Sequence, residues 1–236
     1  ATLSYLAAVT ERVGLLSHVY VLPYRHPLVT AKAWATLDAL SGGRAILGVG
    51  AGHVEGEFAA LDVPFADRGR LLDEAIDAVR AALADERPSH DGERWRFADV
   101  GQRPRPVQRP LPIWVGGSSR PAMRRAAERG DGWLPQGPPE GGMEAGIAYL
   151  RERRDRAGRH GPFTIGALSG PLHVGEPAWD TGRCVRGPAE KVAAYLRTFA
   201  DLGVDQVQVG FASRSADELC DQVAAFATDV VPLLND

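Results

Sequence analysis

Short apolar, β-branched runs alternate along the chain with longer stretches in which apolar residues recur at helical spacing. Val13 to Leu22 is mostly apolar, ends at Pro23 and predicts a buried strand. HPLVTAKAWATLDALSGG predicts a helix with a proline in its first turn, Ala33, Trp34, Leu37 and Leu40 at helical spacing, and a stop at Gly42. RAILGVGAG reads as a second short strand running into glycines. ADRGRLLDEAIDAVRAALADE places Leu71, Leu72, Ala75, Ile76, Val79 and Leu83 on one face, with Asp67 as N-cap.

Residues 88–110 interrupt this rhythm. HDGERWRF predicts a small hairpin turned at Asp91-Gly92, and RPRPVQRPLP is too rich in proline for a helix or a central strand, so the segment reads as a surface excursion. The alternation resumes with PIWVGG, a helix from Pro121 to Arg129, the short strand GWLP, a helix ending near Gly158 and the strand FTIGALSGPLHVG. A helix between Pro188 and Gly203 follows, then VDQVQVGF, which turns Val204, Val207, Val209 and Phe211 inward. Ser215 and Glu218 form a capping box for the last helix, whose Leu219, Val223, Phe226 and Val230 pack on the sheet.

About six strand–helix units call for a parallel sheet with helical cover, either doubly wound or closed into a barrel. A closed eight-stranded barrel takes about 250 residues. The chain opens in ATLSYLAAVTER, a helix without a visible start. The expected fold is therefore α/β, a (β/α)8 barrel lacking its first strand, first helix and second strand. In either architecture the strand-to-helix loops gather at one mouth, where ligands bind. GVGAG and VGGSS both fall there.

Composition narrows the function classes. The 236 residues are 44% apolar, enough for one large core. Thirty acids against 27 bases give a net charge of -3 with no basic stripe, which argues against a nucleic-acid partner. Cys184 and Cys220 are neither paired in sequence nor near a histidine cluster, so no metal or disulfide frame is expected and a reduced, cytoplasmic location is. LLSHVYVL is far short of the roughly 20 residues a spanning helix needs, so no membrane is expected.

Five segments, TERVGLLSHVYVLPYRHP, ATLDALSGGRAILGVGAG, ALDVPFADRGRLLDEAI, RPRPVQRPLPIWVGGSSRPAMRRAAERGDGWLP and GPAEKVAAYLRTFADLGVDQVQVGF, stand in an order and spacing that resemble the luciferase-like monooxygenase superfamily. The closer likeness is to its actinobacterial deazaflavin-dependent branch, and it runs over residues 1–236 as a single domain. The resemblance implies a (β/α)8 barrel, commonly dimeric, holding coenzyme F-420 or FMN at its mouth. It puts Ser17, His18 and Val19 at a strand bulge that supports the tricyclic ring, with a non-proline cis peptide at His18-Val19. It also puts Ala51, Gly52 and His53 at the mouth. Where the family's sugar-phosphate dehydrogenase has a catalytic glutamate, this chain has His53, which argues against that activity and makes His53 the candidate acid or base.

Gly116, Gly117, Ser118 and Ser119 admit two readings from the residues themselves. The glycines turn the chain, or they let backbone N–H groups approach a phosphate while the serines add hydroxyl donors and the helix opened by Pro121 adds its dipole. The resemblance favours the second. Among the other candidates, His26 reads as a cap, His173 as a satisfied structural histidine, and Trp34 and Trp114 as core, while Trp133 is a candidate border of the cofactor. Arg124 and Arg125 read as solvated on a helix face, and RERRDRAGR as an exposed helix end.

The expected activity is hydride transfer between a small organic substrate and F-420. The first alternative is an FMN-dependent monooxygenase served by a separate flavin reductase, and the second a non-catalytic remnant that keeps only cofactor or phosphate binding. A non-redox barrel acting on sugar phosphates would want a lysine or metal-binding carboxylates at strand ends, and the pattern offers neither.

Overall fold

A computed structural model describes residues 1–234. Their contacts divide them into two compact units, Ala1–Leu134 with Ala148–Phe163, and Pro135–Ile147 with the residues from Thr164 onward.

The first unit opens with α1 (Thr2–Val9), β1 (Leu15–Leu16) and β2 (Tyr20–Val21). The single strand expected from Val13 to Leu22 is thus two short pieces flanking Ser17–Val19. The break has a local cause: the Ser17 hydroxyl donates to the Gly48 carbonyl at 2.8 Å and accepts from the Gly48 N–H at 3.1 Å. A side chain there replaces one rung of the ladder. Both pieces pair in parallel with β3 (Ala45–Gly50), in the registers Leu15↔Ala45 and Tyr20↔Val49.

Between them lies α2 (Pro27–Leu40), with His26 at its N-cap accepting the Leu28 N–H on Nδ1 at 3.1 Å, the role expected for it. Its buried stripe is Ala31, Trp34, Ala35, Leu37 and Asp38, while Ala33 and Leu40 face outward, one position off the expected face. Asp38 is inside because its carboxylate accepts from the Ala45 N–H, the Gln108 N–H and the Gln108 Nε2, which ties the proline-rich segment to the start of β3.

After β3 come α3 (Glu55–Ala60), which has no counterpart in the expected pattern, and α4 (Arg68–Ala84), which buries Leu71, Leu72, Ala75, Ile76 and Val79. Asp67 occupies the N-cap position of α4 without capping it; its carboxylate pairs with Arg70 at 3.3 Å instead. The hairpin β4 (His90–Asp91) and β5 (Arg96–Phe97) forms, but with Gly92–Trp95 as its loop rather than a turn at Asp91-Gly92. Glu74 of α4 holds that loop by accepting the N–H groups of Arg94 and Trp95, each at 2.8 Å.

Strand β6 (Ile113–Gly116) then lies between β3 and β7 (Gly132–Leu134), both parallel to it, with α5 (Arg120–Arg129) as the crossover. Helix α6 (Gly142–Arg156) carries the arginine-rich run into this unit.

The second unit is built on β8 (Thr164–Val174), which pairs in parallel with both β9 (Val185–Gly187) and β10 (Gln206–Phe211). Strand β9 was not legible as a strand. Helix α7 (Ala189–Asp201) buries Val192, Ala193 and Leu196 against Leu172, Val207, Val209 and Phe211. The last helix begins with α8 (Ala216–Ala225), passes through a π-helical stretch at Phe226–Val230 and ends in α9 (Val231–Leu234). Phe226 and Val230 join this core, but Leu219 and Val223 are exposed. Gln222 takes the buried stripe instead, because its amide accepts from the Val174 N–H at 2.7 Å and donates to the Val174 carbonyl at 3.2 Å. Only half of the capping box forms. Ser215 caps the Glu218 N–H, while the Glu218 carboxylate goes to the Arg214 N–H and the Trp179 indole.

Among the described residues no helix is long and apolar enough to cross a membrane.

Candidate active site

The pairing order β2–β3–β6 brings three chain segments together, one in the break between β1 and β2 and two at the carboxyl ends of β3 and β6. They are the bulge Ser17–Val19, the loop Ala51–His53 and the turn Gly116–Ser119. The His18-Val19 peptide is cis, at the bond the resemblance implied.

Val19 explains two of the glycines. A Cβ added at Gly50 would stand 2.6 Å from one Val19 methyl, and one added at Gly116 would stand 2.7 Å from the other. The side chain of Val19 is therefore wedged over both strands, and Gly116 is bare to admit it. Gly116 thus has a packing role beside the one the resemblance implies for its backbone.

Gly117 has a φ of +111°, which favours glycine. It is gripped from both sides: its N–H donates to the Leu134 carbonyl at 2.9 Å, and its carbonyl accepts the Trp133 indole N–H at 2.8 Å. Its amide is thus spent inside the protein and is not one of the donors of an anion cradle. Trp133 is fully buried beneath the turn rather than at a cofactor's border. Sequence reasoning missed this anchor, since nothing in the spacing of GWLP says which carbonyl the indole reaches.

Ser119 is the N-cap of α5, its hydroxyl accepting the Ala122 N–H at 3.4 Å, with Pro121 in the first turn. The cap uses a lone pair of that hydroxyl and leaves its O–H to donate. What the turn offers is the positive end of a ten-residue helix and the amides of Ser119 and Arg120, held by a fixed Gly117.

Gly52 has a φ of +81°, and a Cβ there would meet Phe58 at 2.8 Å and Val21 at 2.9 Å. Phe58 is fully buried in an edge-to-face cluster with Tyr24 and Phe65, and the Tyr24 hydroxyl donates to Glu57 at 2.8 Å. Partial burial and this carboxylate push the Tyr24 phenol above its ordinary value. The loop Ala51–His53 is thereby fixed, with His53 exposed at its end. His18 is also solvent-accessible, yet crowded enough that desolvation pushes its imidazole below the usual histidine value.

Two arginines do structural work away from this site, contrary to expectation, while Arg124 and most of the run after Tyr149 are solvent-accessible as expected. Arg125 is buried, pairing with Asp73 at 2.5 Å and donating to the Gly69 carbonyl. Arg154, also buried, donates to the carbonyls of Ala127, Gly130 and Gly161 and stacks on Phe163. His173 is buried with Nδ1 3.3 Å from the Gly175 carbonyl, and Trp34 and Trp114 are core, all as expected.

A family model for luciferase-like monooxygenases matches residues 1–181. The chain belongs to that family. Over 164 residues it is 38% identical to an uncharacterized protein of Mycobacterium tuberculosis, an overlap covering 70% of this chain and 56% of that one. The chain thus spans little more than half the length of that curated relative. It is 36% identical over 141 residues to the F-420-dependent glucose-6-phosphate dehydrogenase of Intrasporangium calvum, covering 56% of this chain and 42% of that enzyme. It is 33% identical over 152 residues to the FMNH(2)-dependent dimethylsulfone monooxygenase of Pseudomonas putida, covering 63% and 42%. Among solved structures, the monooxygenase RslO1 of Streptomyces bottropensis matches with a TM-score of 0.83 at 22% identity, over 98% of this chain and 81% of that one. That likeness carries the fold, and with it the expected class: parallel strands with helical cover, in the fold of the luciferase-like barrel enzymes.

Proposed function

We propose that the protein is an oxidoreductase that moves a hydride between a small organic substrate and coenzyme F-420. The observation that carries this reading is the locked turn ahead of α5. Gly117 is fixed by Leu134 and Trp133, so the amides of Ser119 and Arg120 and the helix dipole are held ready for the phosphate of a cofactor tail. No acidic side chain lies in the first turn of α5, which suits an anion. The bulge at Ser17–Val19, one strand away, is the proposed support for the ring, and Ala51 and Gly52 its neighbours.

When bound, the deazaflavin ring supplies the site that accepts or gives the hydride. This chain's residues orient and protect it. Val19 sets the height of the ring support over β3 and β6, and the Tyr24–Glu57 hydrogen bond keeps the loop carrying His53 in place. His53 is the proposed acid or base, taking or returning the proton of the substrate at its imidazole. An FMN-dependent monooxygenase with a separate reductase is the second reading, favoured by the Pseudomonas relative. F-420 is preferred because the five motifs resemble the deazaflavin branch.

Fluorescence titration with F-420 and with FMN tests both. Asp and Asn at position 119 each keep the N-cap, but Asp adds a negative charge where the phosphate would sit. F-420 is expected to bind more tightly than FMN, and Ser119→Asp to weaken it about tenfold while Ser119→Asn stays within about threefold. Tight binding of FMN alone would replace the cofactor. Unchanged affinity in Ser119→Asp would remove the cradle. Binding without turnover would leave the remnant reading.

A further inference from the structure

Strand β6 has a second feature at its other end, independent of the proposed cofactor site. The carboxyl-terminal turn of α4 and the residues leading into β6 line a cavity of about 360 Å3, within the usual range for small-molecule sites. Leu83, Pro110, Leu111 and Ile113 make it largely apolar, and Arg80 and Arg109 are its cations.

The charge around it does not balance. Arg80 is committed to Asp131 at 2.7 Å and to the Arg129 carbonyl. Arg105 closes the end of α4 by donating to the carbonyls of Leu83 and Ala84, while its Nε and Nη1 are buried with no acceptor among the described residues. Arg109 makes no hydrogen bond or ion pair among the described residues. The neighbouring acids are already occupied. Asp131 takes Arg80, Arg159 and the Ile113 N–H, and Asp38 takes Gln108 and the Ala45 N–H. An apolar cavity edged by an unpaired guanidinium is complementary to a molecule with a hydrocarbon body and one negative end.

We infer that this cavity binds a medium-chain carboxylate, its hydrocarbon body against Leu83, Leu111 and Ile113 and its carboxylate on Arg109. Arg109 is exposed and Ala84 ends a helix at the surface, so both can be replaced without disturbing the core.

The test uses octanoate, with 1-octanol as the uncharged control, followed by methyl chemical shifts of Leu83, Leu111 and Ile113 in the full chain. Octanoate is expected to shift these methyls and to bind about fivefold more tightly than octanol, the weight of one charge-assisted hydrogen bond at a partly exposed site. Arg109→Gln should bring octanoate down to the level of octanol and leave octanol unchanged. Ala84→Trp, which fills the cavity from the helix end, should abolish both. Methyls that do not move, octanoate binding that ignores both variants, or binding that responds only to Ser119→Asp would each overturn the inference.

Discussion

The two ends of β6 are held by opposite means. At its start, the Ile113 N–H is received at 3.0 Å by Asp131, whose carboxylate also pairs with Arg80 and Arg159, so the strand is fixed by charge. At its finish, Gly116 and Gly117 are fixed by apolar packing, backbone and an indole. Val19 drops into the space left by Gly50 and Gly116, and Gly117 is fixed by one strand carbonyl and one indole. At the charged end the Asp131 carboxylate is taken up by Arg80, Arg159 and the Ile113 N–H, and Arg109, a cation unpaired among the described residues, stands outside that network. An end made of bare backbone and apolar packing keeps its helix dipole unneutralised, and that is where the proposed cofactor belongs.

The sharpest way to break this contrast is Asp131→Ala. It removes the carboxylate partner of two arginines and an N–H at once, and with side chains that keep 21 to 30% exposure and arginines that retain a carbonyl each, the expected loss is about 2 kcal/mol, below that of a fully buried pair. Urea unfolding would show it as a lower midpoint, with cofactor affinity retained in the folded fraction. Gly116→Ala comes next. The added methyl collides with Val19, and the expected cost is about 1–2 kcal/mol together with weaker cofactor binding. Combining it with Val19→Ala should recover about 1 kcal/mol, and a purely additive pair would show that the wedge does not hold this end.

The smallest effect concerns His18. Its folded value lies below the ordinary 6.5, so the unfolded chain binds more protons in the window between the two, and stability falls as pH drops through that window. Unfolding measured from pH 8 down to pH 5 should show this slope, and His18→Gln should flatten it. An imidazole titrating above 6.5 by NMR would reverse the sign.

Much of the framework was legible because it rests on local rules. Pro27 after His26 fixes a helix start, and the bulge at Ser17–Val19 followed from the likeness of its neighbours. The missed features depend on which distant group a side chain reaches. Arg125 and Arg154 look like surface charge in sequence, yet their long arms end on Asp73 and on three carbonyls inside the fold. Leu219 and Val223 carry the better apolar pattern, but Gln222 can satisfy both backbone groups of Val174, and a buried pair of hydrogen bonds outweighs the pattern. At the candidate site, the sequence did not show what the glycines and serines hold within the protein. Gly116 serves Val19, Gly117 serves Leu134 and Trp133, and the Ser119 hydroxyl serves Ala122.

The double grip on Gly117 has one more outcome. With the 116–117 peptide held by its N–H and the 117–118 peptide held by its C=O, neither can flip to greet an arriving molecule, so the α5 entrance keeps one shape whether empty or filled. Capture there should be a rapid, single-step docking with little loop entropy to lose, and discrimination among ligands would then fall to the groups that meet the far end of the molecule.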